Sequence, residues 1–165
     1  MISGKTALQT PQGVRRVDVT SAEDMYKASV AEFENSDCAV MCAAVADYTP
    51  VEVSATKIKK SDESFSLELR KTKDIALELG KVKGGRKLVG FALETDNEQV
   101  NAEKKLAEKN LDMIVLNSLR DEGAGFGHDT NKVTFIDGAS RTELPLASKA
   151  EVAERIADRI EELLK

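Results

Sequence analysis

The sequence is poor in the residues that bind metals or form disulfides. It has one histidine, His128, and two cysteines, Cys38 and Cys42. On one strand these cysteines would lie about 13 Å apart, which is too far for a disulfide. One histidine adds too few ligands for a zinc-type site. We therefore predict buried, reduced core cysteines, as expected in a reducing cytosol, a surface histidine, and no metal site built from side chains.

The sequence also lacks long apolar runs and a targeting segment. No run approaches the roughly 20 residues that span a membrane, and Met1 to Lys5 resemble neither a signal nor a transit peptide. The net charge of −5 argues against broad electrostatic binding to nucleic acid. With 41% hydrophobic and 32% charged residues, the composition is that of an ordinary globular protein. We expect one cytoplasmic domain, residues 1–165, with no membrane or nucleic-acid partner.

Apolar runs alternate with helical patterns along the chain. Residues 38–44, 88–93 and 113–116 are typical of strands buried on both faces. A short strand at 17–20 precedes the first helix, and a charged helix at 98–109 separates the last two runs. Alternating strands and helices indicate a parallel sheet with right-handed crossovers. The sequence therefore predicts an α/β fold, namely a Rossmann-like, doubly wound, mainly parallel sheet with helices on both faces.

The helix starts and the C-terminal part carry local signals. Residues 132–136 and 141–146, joined through an Asp-Gly turn, predict an antiparallel hairpin at one edge of the sheet. A capping box needs Ser or Thr followed three residues later by Glu. Two such pairs precede helical patterns: Thr20 with Glu23, and Ser148 with Glu151. Thr20 is thus the predicted N-cap of the helix that ends near residue 34. Ser148 is the predicted N-cap of the last helix.

Ligands of doubly wound sheets bind beyond the carboxyl ends of the strands, so the segments after Ala44, Leu93 and Leu116 form the candidate site. Asp47 follows the first of these strands. Its carboxylate can bind a ribose hydroxyl, orient a metal-bound water or cap a turn.

Clustered lysines are the second feature of these segments. Lys57, Lys59 and Lys60 either form a solvated surface or neutralise a triphosphate and the charge of its transition state. Lys105 and Lys109 lie one helical turn apart, so both can reach one ligand, or they can pair with nearby glutamates on a solvated face.

Five segments resemble, in order, the phosphopantothenoylcysteine synthetase domain of the bacterial bifunctional coenzyme A flavoprotein (the decarboxylase/synthetase). They are AAVADY at 43–48, KIKK at 57–60, VGFALET at 89–95, KNLD at 109–112 followed by Asn117, and FGHDTN at 126–131. The likeness runs from about Ser3 to the C-terminus.

The resemblance implies a ligase that uses CTP and Mg²⁺ to activate 4′-phosphopantothenate as an acyl cytidylate and then couples it to cysteine. It makes Lys57 the catalytic lysine that stabilises charge on the α-phosphate. The implied nucleotide-binding residues are Ala43, Asp47, Lys57, Asp74, Ile75, Phe91, Lys105 and Lys109. The implied flap over the ligand contains Lys59, Lys60, Ser61 and Asp62. The resemblance also implies a homodimer and a fused or associated flavin-dependent decarboxylase.

One departure from the family qualifies this interpretation. Family members begin with a strand, a glycine-rich turn and an Asn-x-Ser-Ser-Gly segment, whereas this chain begins at Ile-Ser-Gly, with Lys5 where proline is usual. We expect an N-terminally truncated fragment that ligates poorly or not at all. Two alternatives are a nucleotide-binding module without ligase activity and an unrelated nucleotide-dependent α/β enzyme. The choice of CTP over ATP follows only from the bacterial look of the motifs.

Overall fold

The structure, a computed structural model, describes residues 1–58, 64–94, 96–118 and 127–165. The chain divides into two compact units. The first, here called the N-terminal unit, comprises Met1–Ser29 and Ala43–Asp74. The second, here called the sheet unit, comprises Val30–Cys42 and Ile75–Lys165. The prediction of a single domain remains a prediction.

Four helices and eleven strands occur in the described part of the chain. The helices are α1 (Ala22–Phe33), α2 (Ile75–Val82), α3 (Glu98–Glu108) and α4 (Lys149–Leu163). The strands are β1 (Ile2–Ser3), β2 (Val17–Asp18), β3 (Cys38–Met41), β4 (Tyr48–Pro50), β5 (Leu69–Lys71), β6 (Lys87–Glu94), β7 (Met113–Ser118), β8 (Thr130–Asn131), β9 (Val133–Asp137), β10 (Arg141–Glu143) and β11 (Ala147–Ser148).

The sheet unit is built on a five-stranded sheet with the order β10-β9-β7-β6-β3. Strands β3, β6 and β7 are parallel to one another, and β9 and β10 are antiparallel. This arrangement confirms the predicted mainly parallel α/β sheet with an antiparallel C-terminal hairpin. The second hairpin strand is shorter than predicted and ends at Glu143.

Both faces of the central strands β6 and β7 are buried. On one face, alternate residues such as Val89, Met113 and Val115 pack with Val152 and Ile156 of α4. The residues that point to the opposite face are equally buried: Leu88, Ile114 and Leu116 are 0%, 1% and 5% exposed. A sheet with both faces covered explains why β6 and β7 read as continuous apolar runs.

The predicted start of α4 is confirmed in detail. The Ser148 hydroxyl accepts a hydrogen bond from the Glu151 amide, and the Glu151 carboxylate accepts one from the Ser148 amide. At α1 the predicted cap, Thr20, is wrong by one residue. Ser21 is the residue whose hydroxyl accepts from the Asp24 amide, while the Asp24 carboxylate accepts from the Ser21 amide. The Asp24 carboxylate thus accepts the reciprocal hydrogen bond that a glutamate usually accepts in a capping box.

The prediction that residues 38–44 form a strand buried on both faces is wrong. The strand is only β3, at the edge of the sheet, where it pairs with β6 alone. Val40 is therefore 45% exposed. Cys38 is half-buried and Cys42 is exposed, so neither is the predicted buried core cysteine. Both thiols are free.

The N-terminal unit contains two small sheets, one of parallel β1 and β2 and one of antiparallel β4 and β5. The predicted strand at 17–20 is thus shorter and pairs with β1 instead of joining the five-stranded sheet. The segment after residue 44, predicted as a long loop, holds the β4–β5 pair. Here Thr72 donates its amide to the Asp47 carbonyl oxygen and its hydroxyl to that of Ala46.

No helix in the described ranges of the chain is long and apolar enough to cross a membrane.

Candidate functional site

The carboxyl ends of β6 and β7 lie side by side in the sheet unit. Leu93 of β6 pairs with Asn117 of β7, and Glu94 pairs with Ser118. These are two parallel neighbours in the middle of the sheet, so both strands end at the same edge. Because side chains alternate along a strand, Asn117 lies on the same face as Met113 and Val115, whereas Glu94 lies on the face of Leu88. This edge is where a doubly wound sheet binds its ligand.

A charged pair lies at this edge. The Lys105 ammonium of α3 is 2.6 Å from a carboxylate oxygen of Glu94, whose side chain is only 13% exposed. The second carboxylate oxygen of Glu94 accepts a hydrogen bond of 3.2 Å from the Asn101 side-chain amide. That amide also donates to the Asp96 carbonyl oxygen at 2.9 Å. Glu94 therefore links the end of β6 to α3 at two positions, Asn101 and Lys105.

An unsatisfied polar atom lies on the neighbouring strand. The side-chain oxygen of Asn117 is buried and has no hydrogen-bond partner among the described residues. Leaving a buried acceptor unpaired costs about 1–3 kcal/mol. A ligand that donates a hydrogen bond here would remove that cost. Sequence reasoning placed Asn117 after a strand but did not count it, or Glu94, as a site residue; position at a strand end was the available signal.

The end of α3 is held by close packing against α2. Lys109 caps α3, with its amide donating to the Lys105 carbonyl oxygen at 3.1 Å. The next residue, Asn110, has a left-handed φ of 51° and donates its side-chain amide to the Gly80 carbonyl oxygen at 2.9 Å. A side chain on Gly80 would overlap the Lys109 carbonyl group. The absence of a side chain at Gly80 therefore allows α2 and the end of α3 to pack closely.

The predicted nucleotide residues are divided between the two units. Ala43, Asp47, Lys57 and Asp74 belong to the N-terminal unit, and all four are exposed. Asp47 directly precedes β4, and Lys57 follows it in the chain. Their assignment as nucleotide-binding residues, with Lys57 as the catalytic one, remains a prediction.

The other predicted residues lie in the sheet unit. Ile75 begins α2 and is 4% exposed, Phe91 is half-buried on β6 against the core, and Lys105 and Lys109 lie near the end of α3. Only Lys105 joins the β6–β7 edge described above. His128 is exposed, as predicted. The predicted flap residues fall outside the described part of the chain: Lys59, Lys60, Ser61 and Asp62.

The fold and the polar edge define an α/β domain with a candidate ligand site at the carboxyl ends of two central parallel strands. The chain belongs to the family described as the DNA/pantothenate metabolism flavoprotein C-terminal domain, whose model matches residues 1–164.

Similar proteins support this membership. The chain is 49% identical, over 97% of its length, to a cysteine/cysteine sulfinic acid decarboxylase from an unknown prokaryotic organism, and covers 45% of it. It is 47% identical, over its full length, to the coenzyme A biosynthesis bifunctional protein CoaBC of Bacillus subtilis (strain 168), and covers 41% of it. The C-terminal domain of a CoaBC protein has a crystal structure with a TM-score of 0.82 and 41% identity, in which 99% of this chain matches 72% of that one. The chain thus spans under half the length of these curated relatives.

These descriptions confirm the predicted setting in coenzyme A biosynthesis and pantothenate metabolism. They correct the predicted activity. The family is described as a flavoprotein and the 49% identical relative is named a decarboxylase, which is a lyase. By these descriptions the predictions of a synthetase domain, of a ligase, and of CTP with Mg²⁺ are wrong, and the implied cofactor is a flavin, FMN. The matching segments identified the family and did not determine the reaction.

Two cavities allow a test of whether the described residues fit FMN. In the sheet unit, a groove of about 660 Å³ lies at the amino ends of β3 and β6. Its two cations are already engaged. Lys83 pairs with Asp112 at 2.8 Å, and Arg86 donates to the backbone carbonyl oxygens of Lys83, Phe33, Glu34 and Val82. The described lining of this groove also includes the carboxylates of Glu34 and Asp37, which repel a phosphate dianion.

The other cavity, of about 410 Å³, lies in the N-terminal unit. Its described lining is mainly apolar and includes the carboxylates of Glu52 and Glu68, with no lysine or arginine. Carboxylates repel a phosphate dianion. The described linings of these two cavities therefore do not fit FMN.

Proposed function

We propose that the chain is a phosphorylated-ligand-binding domain of a bifunctional flavoprotein of coenzyme A biosynthesis. In this proposal the ligand is a phosphorylated pantothenate compound that the decarboxylase activity of the whole protein acts on. The chain contributes binding and orientation, and the flavin is held by residues outside it. The names of the curated relatives supply the pathway and the decarboxylase.

The observation that carries the proposal is the polar edge at β6 and β7. At this edge Lys105 of α3 supplies a cation beside Glu94 of β6, and Asn117 of β7 supplies, on the opposite face of the sheet, a buried acceptor with no hydrogen-bond partner among the described residues. Pantothenate compounds carry amide and hydroxyl donors along their length and, when phosphorylated, an anionic end. A lysine ammonium suits the phosphate as a point charge, and the Asn117 oxygen suits an amide or hydroxyl donor.

A separate part of the proposal concerns the N-terminal unit. Asp47 and Lys57 of that unit are exposed, and we propose that they bind ligand, as predicted, through a carboxylate and an ammonium group. The predicted homodimer and cytoplasmic location also belong to the proposal, and light scattering of the purified chain tests the first of them.

The test is calorimetric titration of 4′-phosphopantothenoylcysteine into the chain, with the dephosphorylated compound as the ligand control. We expect the phosphorylated compound to bind more tightly. We expect Lys105→Gln to weaken its binding about tenfold or more, because a hydrogen bond to a charged group contributes about 1.5–3 kcal/mol.

The matched control is Lys104→Gln on the same helix. Lys104 is 67% exposed and pairs only loosely with Glu108, at 3.7 Å. This variant removes the same charge but leaves the β6–β7 edge intact, so we expect near-normal binding. Equal affinity for the two compounds, or equal losses in the two variants, would contradict the proposal.

A further inference from the structure

Lys105 is paired with a carboxylate. Its ammonium lies 2.6 Å from Glu94, and the lysine side chain is 41% exposed. A cation paired in this way attracts an anion less strongly than a free one does. The role of Glu94 in ligand binding at the β6–β7 edge therefore needs an explanation.

Glu94 is itself held on both sides. One oxygen accepts from Lys105 and the other from Asn101, whose amide is tied in turn to the Asp96 carbonyl oxygen. Glu94 is also the last residue of β6, a central strand. A long, rotamer-rich lysine side chain loses up to about 2 kcal/mol of conformational freedom when it is fixed. The pair with Glu94 restricts Lys105 and so reduces the conformational freedom that it would lose on binding a ligand.

We infer that Glu94 is a positioning residue that holds the Lys105 ammonium at the β6–β7 edge for the anionic group of the ligand. The inference rests on the proposed function, since it assigns Glu94 to that same site. It follows a general device in which a carboxylate orients a phosphate-binding lysine, as the lysine–glutamate pair of protein kinases does. An ammonium has three donors, so the bond to Glu94 leaves two for the ligand.

The sign of one substitution separates positioning from simple electrostatics. Removing a negative charge beside an anion site should strengthen anion binding if only Coulomb forces act. If Glu94 positions Lys105, Glu94→Gln instead weakens the binding of 4′-phosphopantothenoylcysteine, by about tenfold for a loss near 1.4 kcal/mol. Asn101→Ala keeps the charge of Glu94 and removes only the hydrogen bond that Asn101 donates to it. This variant should therefore also weaken binding, but less than Glu94→Gln does.

The control is Glu103→Gln, which removes a carboxylate from the same helix. Glu103 accepts from Gln99 at 2.6 Å and is exposed. We expect this variant to bind as the wild-type chain does, or slightly more tightly. Circular dichroism and thermal unfolding of each variant show whether the fold is retained.

A double-mutant cycle completes the experiment. If Glu94 acts through Lys105, Glu94→Gln causes no further loss of affinity in a Lys105→Gln background, whereas a merely structural effect would persist there. Two results would overturn the inference while leaving the proposed site in place. One is tighter binding by Glu94→Gln, and the other is a loss of affinity from Glu94→Gln that is as large in the Lys105→Gln background as in the wild-type chain. No binding by the wild-type chain, or no effect of Lys105→Gln, would instead overturn the proposed function, and the inference with it.

Discussion

Asp137 offers a quantitative test of what joins α4 to the C-terminal hairpin. Its side chain is 8% exposed and lies 2.6 Å from the Arg159 guanidinium of α4. Its carboxylate also accepts hydrogen bonds from the Ala139 and Ser140 amides and from the Ser140 hydroxyl. Burial alone would raise the pKa of Asp137, but these bonds outweigh it and lower the pKa from 3.8 to about 2.

This pKa implies a pH-dependent contribution to stability. A carboxylate with a lower pKa in the folded state stabilises that state at pH values above its unfolded pKa, and the contribution disappears as the pH falls through the folded pKa. The fall from 3.8 to about 2 corresponds to about 2 kcal/mol. Asp137→Asn should therefore lower the free energy of unfolding by about 2 kcal/mol at pH 7. The deficit should shrink between about pH 4 and pH 2.

The assay is urea unfolding of the wild-type chain and the variant, followed by circular dichroism across this pH range. Glu143→Gln is the control, since it breaks the pair with Lys132 on the same hairpin at a side chain that is 55% exposed. We expect a much smaller change for it, because exposed pairs contribute little. A deficit for Asp137→Asn that stayed constant down to the lowest pH would refute the linkage argument. It would show that asparagine perturbs packing instead.

Two further predictions concern backbone geometry. Gly80→Ala should destabilise the fold by about 1–3 kcal/mol, as overpacking does, because the new methyl group would overlap the Lys109 carbonyl; a denaturation midpoint equal to that of the wild type would contradict the packing. Ser148→Ala should cost about 1 kcal/mol through the lost cap of α4, with ligand binding unchanged; loss of binding in calorimetry would show that this cap also supports the site.

The sequence predicted the parts of the fold whose residues interact locally or are uniformly buried. The runs that became β6 and β7 are central strands, and burial on both faces requires apolar residues at every position. The cap of α4 depends on two residues three positions apart, so it is visible in the sequence. The run at 38–44 has the same apolar character, but its strand lies at an edge. Strand order is a tertiary property that no local pattern contains.

The candidate site was predicted only in part. Lysines stand out in a sequence, so Lys105 was recognised. Its partner Glu94 lies 11 residues earlier in the chain, and a pairing across that separation depends on the geometry of α3 against β6. The buried acceptor of Asn117 depends on the packing around β7, which sequence spacing does not show.

The segment that carried part of the family resemblance explains why the family was predictable and the reaction was not. In 109–112, Asn110 adopts the left-handed turn, and Leu111 packs within 2.6 Å of where a Gly90 side chain would begin. Asp112 accepts bonds of 2.8 Å from the Leu88 amide and from Lys83. These contacts join α2, α3 and β6, so the segment builds the scaffold. A scaffold shared by the members of a family identifies the family, whereas the reaction depends on the groups brought to the strand ends.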